Sequence, residues 1–152
     1  MKKTSNYDSL NILLVTDNKE DSKLLRNAIE TAQVDHDLHD INNAEKLMDY
    51  LSESNVNAPH LIFLDLNMAR KKGMECLAEI RANQKFNNTA VAIVSTSSTK
   101  TDINNAFFEG ANIYIRKPSD FEKLKSIMAD TLAINWQYHS AQFNRENFVM
   151  VR

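Results

Sequence analysis

The chain has 152 residues, 43% of them hydrophobic and 25% charged, which is typical of one folded domain rather than of a disordered chain. Its formal net charge of -2 gives the domain no overall attraction to nucleic acid, so we expect no direct nucleic-acid binding. No apolar run approaches the roughly 18 residues that a membrane span requires, and the polar N-terminus lacks a secretory signal pattern. We therefore expect a cytoplasmic protein with no membrane partner.

The cysteine and histidine content argues against two kinds of site. A single cysteine, Cys76, cannot form an intramolecular disulfide, and its position among apolar residues of a predicted helix favours core packing over a reactive thiol. The four histidines show no zinc-ligand spacing.

Strands and helices alternate in the first half of the chain. A continuous apolar run at residues 12–15 predicts a central strand, and Leu25 and Ile29 share one face of the helix that follows. Asn18, with Asp21 three residues later, is a good N-cap for that helix. Residues 37–41 alternate apolar with polar side chains, which predicts a half-exposed edge strand. A second helical face lies at residues 47–51.

The same alternation continues in the second half. Apolar runs at residues 61–64 and 90–94 predict two further central strands, separated by a helix around residues 74–78. A helix around residues 103–107 has Gly110 as its expected stop. Residues 113–116 alternate and are predicted as the second edge strand, and residues 124–132 as the last helix. Ser119 and Glu122 form a capping box at its start.

Five strands alternating with five helices predict a doubly wound, flavodoxin-like α/β domain with helices on both faces of a parallel sheet, in the order 2-1-3-4-5. We assign residues 1–9 to a polar tail, residues 10–132 to the domain, and residues 133–152 to an extension of the last helix and an aromatic-rich tail. The aromatic residues of this tail are Trp136, Tyr138, Phe143 and Phe148. They need a partner surface, which is either the domain itself or a second copy of the chain in a homodimer.

Polar residues follow four of the predicted strands, at the edge of the sheet where doubly wound folds bind ligands. They are Asp17, Asp65, Ser95 and Lys117. Two carboxylates and a nearby carbonyl suit Mg²⁺, which prefers oxygen ligands and keeps several waters. A carboxylate can attack phosphorus when a metal ion and a lysine neutralise the transferring group. These residues are therefore suited to forming an aspartyl phosphate.

The ordered motifs resemble the receiver domain of bacterial two-component response regulators over residues 11–132. The segments that carry the resemblance are LLVTDN at residues 13–18, LDLNM at 64–68, VS at 94–95 and GANIYIRKP at 110–118. A narrower likeness to the stand-alone receivers paired with bacterial phytochrome-type kinases rests on DNKED at residues 17–21 and on the aromatic-rich end.

The resemblance implies how the site works. Asp65 would take its phosphoryl group from a sensor histidine kinase or a histidine phosphotransfer protein. Mg²⁺ would be held by Asp17, Asp65 and the backbone carbonyl of Asn67, and Lys117 would contact the phosphate.

The resemblance also implies a switch and a backbone feature. Ser95 would move toward the new phosphate, and Tyr114 would then change rotamer, coupling the site to the surface of the fourth helix, fifth strand and fifth helix. A cis peptide bond between Lys117 and Pro118 would aim the lysine.

Two departures from the family pattern bear on the metal. Thr16 stands where the family usually has an acid, so one carboxylate is missing and metal affinity is in question. Arg70, Lys71 and Lys72 stand where an acidic residue is common. They form either a solvated loop or a docking surface and partial substitute for the charge of Mg²⁺.

The leading hypothesis is a phosphorylation-regulated binding module rather than an enzyme, acting as a terminal regulator or as an intermediate in a phosphorelay. One alternative, prompted by Thr16, is a degenerate receiver that binds partners without phosphate. The other is a phosphohydrolase with Asp65 as nucleophile, which Asn67 disfavours because such enzymes want a second aspartate at that position. The downstream protein target stays open.

Overall fold

The computed structural model describes residues 9–53, 57–68, 73–134 and 149–150. Strands and helices alternate through these residues, as predicted. In chain order the elements are β1 (Leu10–Val15), α1 (Lys19–Glu30), β2 (His36–Ile41), α2 (Ala44–Ser52), β3 (Leu61–Asp65), α3 (Gly73–Arg81), β4 (Ala90–Ser95), α4 (Lys100–Phe108), β5 (Ile113–Arg116), α5 (Phe121–Ala133) and β6 (Val149–Met150). A short 3-10 turn, Gln84–Phe86, precedes β4.

All neighbouring strands of the sheet are parallel, in the order β2-β1-β3-β4-β5-β6. The predicted order 2-1-3-4-5 is confirmed for the first five strands. The sixth strand was not predicted. It pairs Val149 with Tyr114 and Met150 with Ile115, and two apolar residues are too few to indicate a strand by their pattern.

The prediction of two half-exposed edge strands was correct for β2 and wrong for β5. Partly exposed and exposed residues alternate over the first four residues of β2, and only its last residue, Ile41, is buried. In β5, by contrast, Ile113, Tyr114 and Ile115 are each at most 1% exposed. The reason is that helices cover both faces of β5: Ile113 and Ile115 pack in the core with α1 and α5, and Tyr114 packs in the core with α2, α3 and α4. β6 also pairs with the outer side of β5, so β5 is not the edge of the sheet.

The sheet separates two apolar cores, because successive side chains of a strand point to opposite faces. Side chains such as Leu13, Ile62 and Ile93 pack on one face with α2, α3 and α4. Side chains such as Ile12 and Phe63 pack on the other face with α1 and α5. Each buried side chain of this size contributes about 1.5–3 kcal/mol to folding, and together they fix the carboxyl ends of the strands. Cys76 is fully buried in the first core, as predicted.

Two of the predicted helix boundaries are confirmed. The side chain of Asn18 caps α1 by accepting a hydrogen bond from the backbone N–H of Asp21 at 2.9 Å. Gly110 follows α4 with a φ of +103°, a left-handed conformation that glycine adopts readily. Its N–H donates to the Phe107 carbonyl at 3.1 Å, which ends the helix.

The predicted cap of α5 was wrong by one residue. Asp120 rather than Ser119 is the N-cap, and its carboxylate accepts a hydrogen bond from the backbone N–H of Glu122 at 3.0 Å. A carboxylate here also lies favourably against the positive end of the helix dipole.

The domain boundaries predicted from sequence stay predictions at both ends. Helix α5 runs to Ala133, next to the predicted boundary at 132. The four tail aromatics, and with them the alternatives of packing on the domain or forming a homodimer, lie outside the described residues. None of the helices in the described part of the chain is long and apolar enough to cross a bilayer.

Candidate functional site

A cavity of about 200 Å³ lies at the carboxyl ends of β1, β3 and β4. Five predicted site residues line it: Asp17, Asp65, Asn67, Ser95 and Lys117. The other lining residues are Thr16, Asn18, Asp21, Leu25, Val94 and Thr96. Tyr114, the predicted switch residue, is not part of its wall. The strand-end residues that sequence reasoning grouped together are therefore neighbours in the fold.

The parallel register explains this convergence. Val15 of β1 lies beside Leu64 of β3, and Asp65 lies beside Val94 of β4. The strands end at nearly the same level, so the residue that closes or follows each of them faces the same space. The apolar runs buried in both cores set that register, because a shift by one residue would turn the core side chains to the wrong face.

Both carboxylate oxygens of Asp65 accept hydrogen bonds. The hydroxyl of Thr16 donates to Oδ2 at 2.7 Å, and the backbone N–H of Asn67 donates to Oδ1 at 2.9 Å. Asp65 is half-buried, whereas Thr16 is only 3% exposed. The carboxylate is thus held in a defined orientation at the end of β3.

Gly73, the first residue of α3, lies directly against the backbone of Asp65. A Cβ added at Gly73 would be 2.4 Å from the Asp65 carbonyl oxygen and 2.8 Å from the Cα of Leu66. The N–H of Gly73 also donates to the Leu66 carbonyl at 3.1 Å. This close approach requires glycine, and sequence reasoning did not identify it.

The ammonium of Lys117, which we expect to contact the phosphate, is paired with an acid of α1 in this structure. This ammonium lies 2.5 Å from Oδ1 of Asp21, in the first turn of α1, and within the described part of the chain Lys117 makes no ion pair with Asp65. Its backbone N–H donates to the Ser95 carbonyl at 2.8 Å. The expected cis bond to Pro118 was wrong, because no peptide bond between the described residues is cis. The trans form is the one most X-Pro bonds adopt.

Ser97 connects the two predicted switch residues. Its backbone N–H donates to the hydroxyl oxygen of Ser95 at 3.0 Å, and its carbonyl accepts a hydrogen bond from the Tyr114 hydroxyl at 3.0 Å. Tyr114 is fully buried and Ser95 is 3% exposed. A single residue of the loop after β4 therefore lies between the cavity and the tyrosine.

The donor set suits a hard cation in part. Asp17 and Asp65 supply two carboxylates and Asn67 a backbone carbonyl, all at one cavity, which matches the way Mg²⁺ binds a few protein oxygens and keeps several waters. Thr16 adds a hydroxyl and no charge. Within the described ranges, no three His, Cys, Asp or Glu side chains form a metal-binding group. Water would therefore supply most of the ligands of such an ion.

Besides Gly73, sequence reasoning missed the part played by three residues of this region. Asp21 was identified as part of a helix start and of the DNKED segment, but not as the partner of Lys117. Thr96 and Ser97 follow Ser95 directly. Their hydroxyl groups, next to a predicted site residue, could have indicated that they belong to the same site. Arg70, Lys71 and Lys72 lie outside the described residues, so both readings of that basic segment stay predictions.

Residues 12–129 match the response regulator receiver domain family. The chain belongs to this family. As a receiver domain it is 33% identical to the response regulator Rcp1 of Synechocystis sp. over 117 residues, covering 74% of this chain and 80% of Rcp1. It is 26% identical to a chemotaxis protein CheY homolog of Campylobacter jejuni over 126 residues, covering 81% of this chain and 92% of the homolog.

Solved structures show the same relationship. The phosphorylated cyanobacterial phytochrome response regulator RcpA superimposes on this receiver domain with a TM-score of 0.77 at 31% identity, covering 86% of this chain and 96% of that one. The Mn²⁺-bound form of Rcp1 gives a TM-score of 0.75 at 29% identity, covering 85% and 96%. The resemblance stated from the sequence motifs, including the narrower likeness to response regulators of phytochromes, is confirmed.

Proposed function

We propose that this receiver domain accepts a phosphoryl group on Asp65 and reports it through altered contacts with a protein partner. The observation that carries the proposal is the placement of Asp65, a half-buried carboxylate held through both oxygens in one cavity with Asp17, Ser95 and Lys117. The solved relative RcpA is described as phosphorylated, which supports the same chemistry here.

The phosphoryl donor is a phosphohistidine of a sensor histidine kinase or of a histidine phosphotransfer protein. A carboxylate oxygen of Asp65 forms the new bond to phosphorus, the P–N bond of the donor breaks, and its electron pair returns to the imidazole. The role of Asp65 is that of a positioned nucleophile, and its two hydrogen bonds limit the orientations in which it can attack.

A divalent cation is part of the proposal, with Mg²⁺ as the expected ion. Asp17, Asp65 and the backbone carbonyl of Asn67 would hold it. When bound, it would neutralise charge on the transferring phosphoryl group. The relative Rcp1 has a Mn²⁺-bound form, which supports the binding of a divalent ion by this receiver domain.

Lys117 supplies positive charge from the chain itself. To contact a phosphoryl group on Asp65, its ammonium must exchange the Asp21 carboxylate for phosphate oxygens. A lysine suits such an exchange because its charge is a compact point at the end of a flexible stem.

The signal would leave the site through Ser97. A phosphoryl group adds about -1.5 to -2 charge and three strong acceptor oxygens. If the Ser95 side chain rotates toward the phosphate, its hydroxyl oxygen moves away from the Ser97 N–H and the hydrogen bond between them breaks. The Ser97 peptide is then free to move, and the Tyr114 hydroxyl bonded to its carbonyl moves with it. The affected surface, near α4 and β5, is where a protein partner would sense the change.

One competing function has a specific observation in its favour. Thr16 replaces an acid, and Lys117 is paired with Asp21 rather than with Asp65. Both features fit a degenerate receiver that binds its partner without phosphate. Enzymatic turnover as a phosphohydrolase has no such support, because the relatives are response regulators and Asn67 is not an acid.

The deciding experiment is intact mass spectrometry after incubation with Mg²⁺ and acetyl phosphate, with Asp65→Asn as the control. We expect one added phosphoryl unit that requires the metal and is absent from the control. An unmodified protein, under conditions that modify a known receiver domain, would favour the degenerate receiver. In a separate assay with a phosphate ester in place of acetyl phosphate, steady turnover that is abolished in the control would instead indicate the phosphohydrolase.

A further inference from the structure

We propose that Thr16 is a positioning residue that shortens the lifetime of the phosphoryl group on Asp65. The inference rests on the proposed function and concerns the rate at which the switch resets. Its starting point is the hydrogen bond of 2.7 Å from the Thr16 hydroxyl to Oδ2 of Asp65. Because Thr16 is only 3% exposed, water competes weakly for this bond.

The direction of the Thr16 proton is fixed by its surroundings. The hydroxyl oxygen accepts a hydrogen bond from the backbone N–H of Asn18 at 3.3 Å, which leaves the hydroxyl proton for Asp65. Asn18 is itself the N-cap of α1, and the Thr16 N–H donates to the Ile41 carbonyl at 3.2 Å. Thr16 therefore presents a rigid donor to the carboxylate.

The strength of this bond depends on the state of Asp65. In the free carboxylate both oxygens share a negative charge, and a hydrogen bond to a charged acceptor is roughly twice as strong as one between neutral groups. In the aspartyl phosphate one oxygen is bonded to phosphorus and the other is a neutral carbonyl oxygen. Thr16 therefore stabilises the free carboxylate more than the phosphorylated form.

This difference favours hydrolysis. A water oxygen attacks phosphorus, the bond between phosphorus and the Asp65 oxygen breaks, and its electron pair returns to the carboxylate, while inorganic phosphate and a proton are released. Negative charge grows on the carboxylate as the bond breaks, and a donor already aimed at that position stabilises the transition state. Thr16 accelerates loss of the phosphoryl group for that reason.

An acid at position 16, the usual residue of the family, would act in the opposite direction. An ionised carboxylate cannot donate a hydrogen bond, and its charge would oppose the return of negative charge to Asp65. With threonine in place of an acid, position 16 of this chain donates a hydrogen bond to Asp65, where an ionised carboxylate would repel it.

The test compares Thr16→Val, which keeps the shape and removes the donor, with Thr16→Ser, which keeps the hydroxyl. Each protein is phosphorylated with acetyl phosphate and Mg²⁺, the donor is removed, and the surviving adduct is followed by intact mass. We expect the half-life of Thr16→Val to increase about tenfold, the ratio given by about 1.4 kcal/mol. The half-life of Thr16→Ser should stay close to that of the unchanged protein.

Several results would overturn the inference. These are an unchanged half-life in Thr16→Val, an equal increase in Thr16→Ser, or a folded Thr16→Val that takes no phosphoryl group. Thr16→Ala serves as a second donor-free variant if valine prevents folding. Absence of any adduct in the unchanged protein would overturn the proposed function as well. An adduct that forms in the unchanged protein and in Thr16→Val and decays at the same rate in both would overturn only the role of Thr16.

Discussion

The Lys117 ammonium and the Asp21 carboxylate lie 2.5 Å apart, with side chains 20% and 27% exposed. This ion pair ties the loop after β5 to the first turn of α1 across the cavity. Asp21 therefore competes with any phosphoryl group on Asp65 for the charge of Lys117. The strength of that competition is accessible to mutation.

Replacing Asp21 with asparagine should speed phosphorylation of Asp65 by acetyl phosphate. The change keeps the size of the side chain and releases Lys117 to neutralise the incoming group. A partly shielded pair of this kind stabilises by up to about 1 kcal/mol, so we expect a rate about two- to fivefold higher by intact mass. Glu20→Gln removes the same charge from an exposed neighbour outside the cavity. Equal acceleration in both variants would show a general charge effect and contradict the competition.

Tyr114→Phe should separate phosphorylation from its structural effect. The variant keeps the buried ring and removes the hydroxyl that donates to the Ser97 carbonyl. We expect unchanged phosphorylation of Asp65 but smaller phosphorylation-dependent shifts of the backbone amides of residues 97–108, measured by NMR. Tyr50→Phe, on the half-exposed face of α2, is the matched control. Identical amide shifts in Tyr114→Phe and the unchanged protein would argue against a path through Ser97.

Gly73→Ala should impair both stability and the phosphoacceptor. The new methyl group has no room beside the Asp65 backbone, and overpacking of this kind typically costs about 1–3 kcal/mol. We expect a lower urea midpoint and slower phosphorylation. Gly110→Ala is the control. Gly110 has a positive φ, so alanine is destabilising there, and the residue does not line the cavity. Gly110→Ala should lower the midpoint alone, and slow phosphorylation in both variants would point to loss of stability as the cause.

Arg81→Met should destabilise the fold by about 3 kcal/mol or more, because it leaves several buried acceptors without a donor. The guanidinium donates to four acceptors: the carbonyls of Gly110 at 2.9 Å, Phe86 at 3.0 Å and Thr89 at 2.8 Å, and the side chain of Asn112 at 2.8 Å. Burial lowers the pKa of this arginine, and the four acceptors offset that cost. Urea unfolding measures the loss. The exposed Arg116→Met should change the midpoint little, and a similar loss in both would contradict the assignment.

Thr16→Asp should raise the affinity of the cavity for divalent cations. It restores the carboxylate that the family usually places there, and ligand charge is a main determinant of affinity for hard cations. We expect Mn²⁺ to bind about tenfold more tightly, measured by calorimetry. Thr16→Asn, which changes the side chain without adding charge, should show no such gain. Equal affinity in Thr16→Asp and the unchanged protein would mean that position 16 does not face the ion.

The sequence was sufficient to predict the order of the first five strands and the convergence of the strand-end residues at one cavity. Continuous apolar runs such as residues 61–64 predict buried strands. The carboxyl ends of parallel strands lie at the same edge of the sheet, so the polar residues that follow them come together there. Pairings between distant residues were harder to predict. Lys117 has three aspartates around one cavity, and the Thr16 bond to Asp65 spans 49 residues, so only the folded geometry decides which contacts form. The place of β5 inside the sheet, rather than at its edge, depends on pairing with Val149 and Met150, which lie beyond α5 and which no local pattern links to Tyr114.

The parallel pairing of β6 with β5 has a practical consequence for shortened forms of this protein. Any version cut before Val149 would present the backbone N–H and C=O groups of β5 as an open edge, and open edges recruit strands from other chains. Such a version would tend to self-associate through β5, the strand that carries Tyr114, as its concentration rises. Affinity tags therefore belong at the N-terminus, and screens for binding partners should retain the chain through Met150.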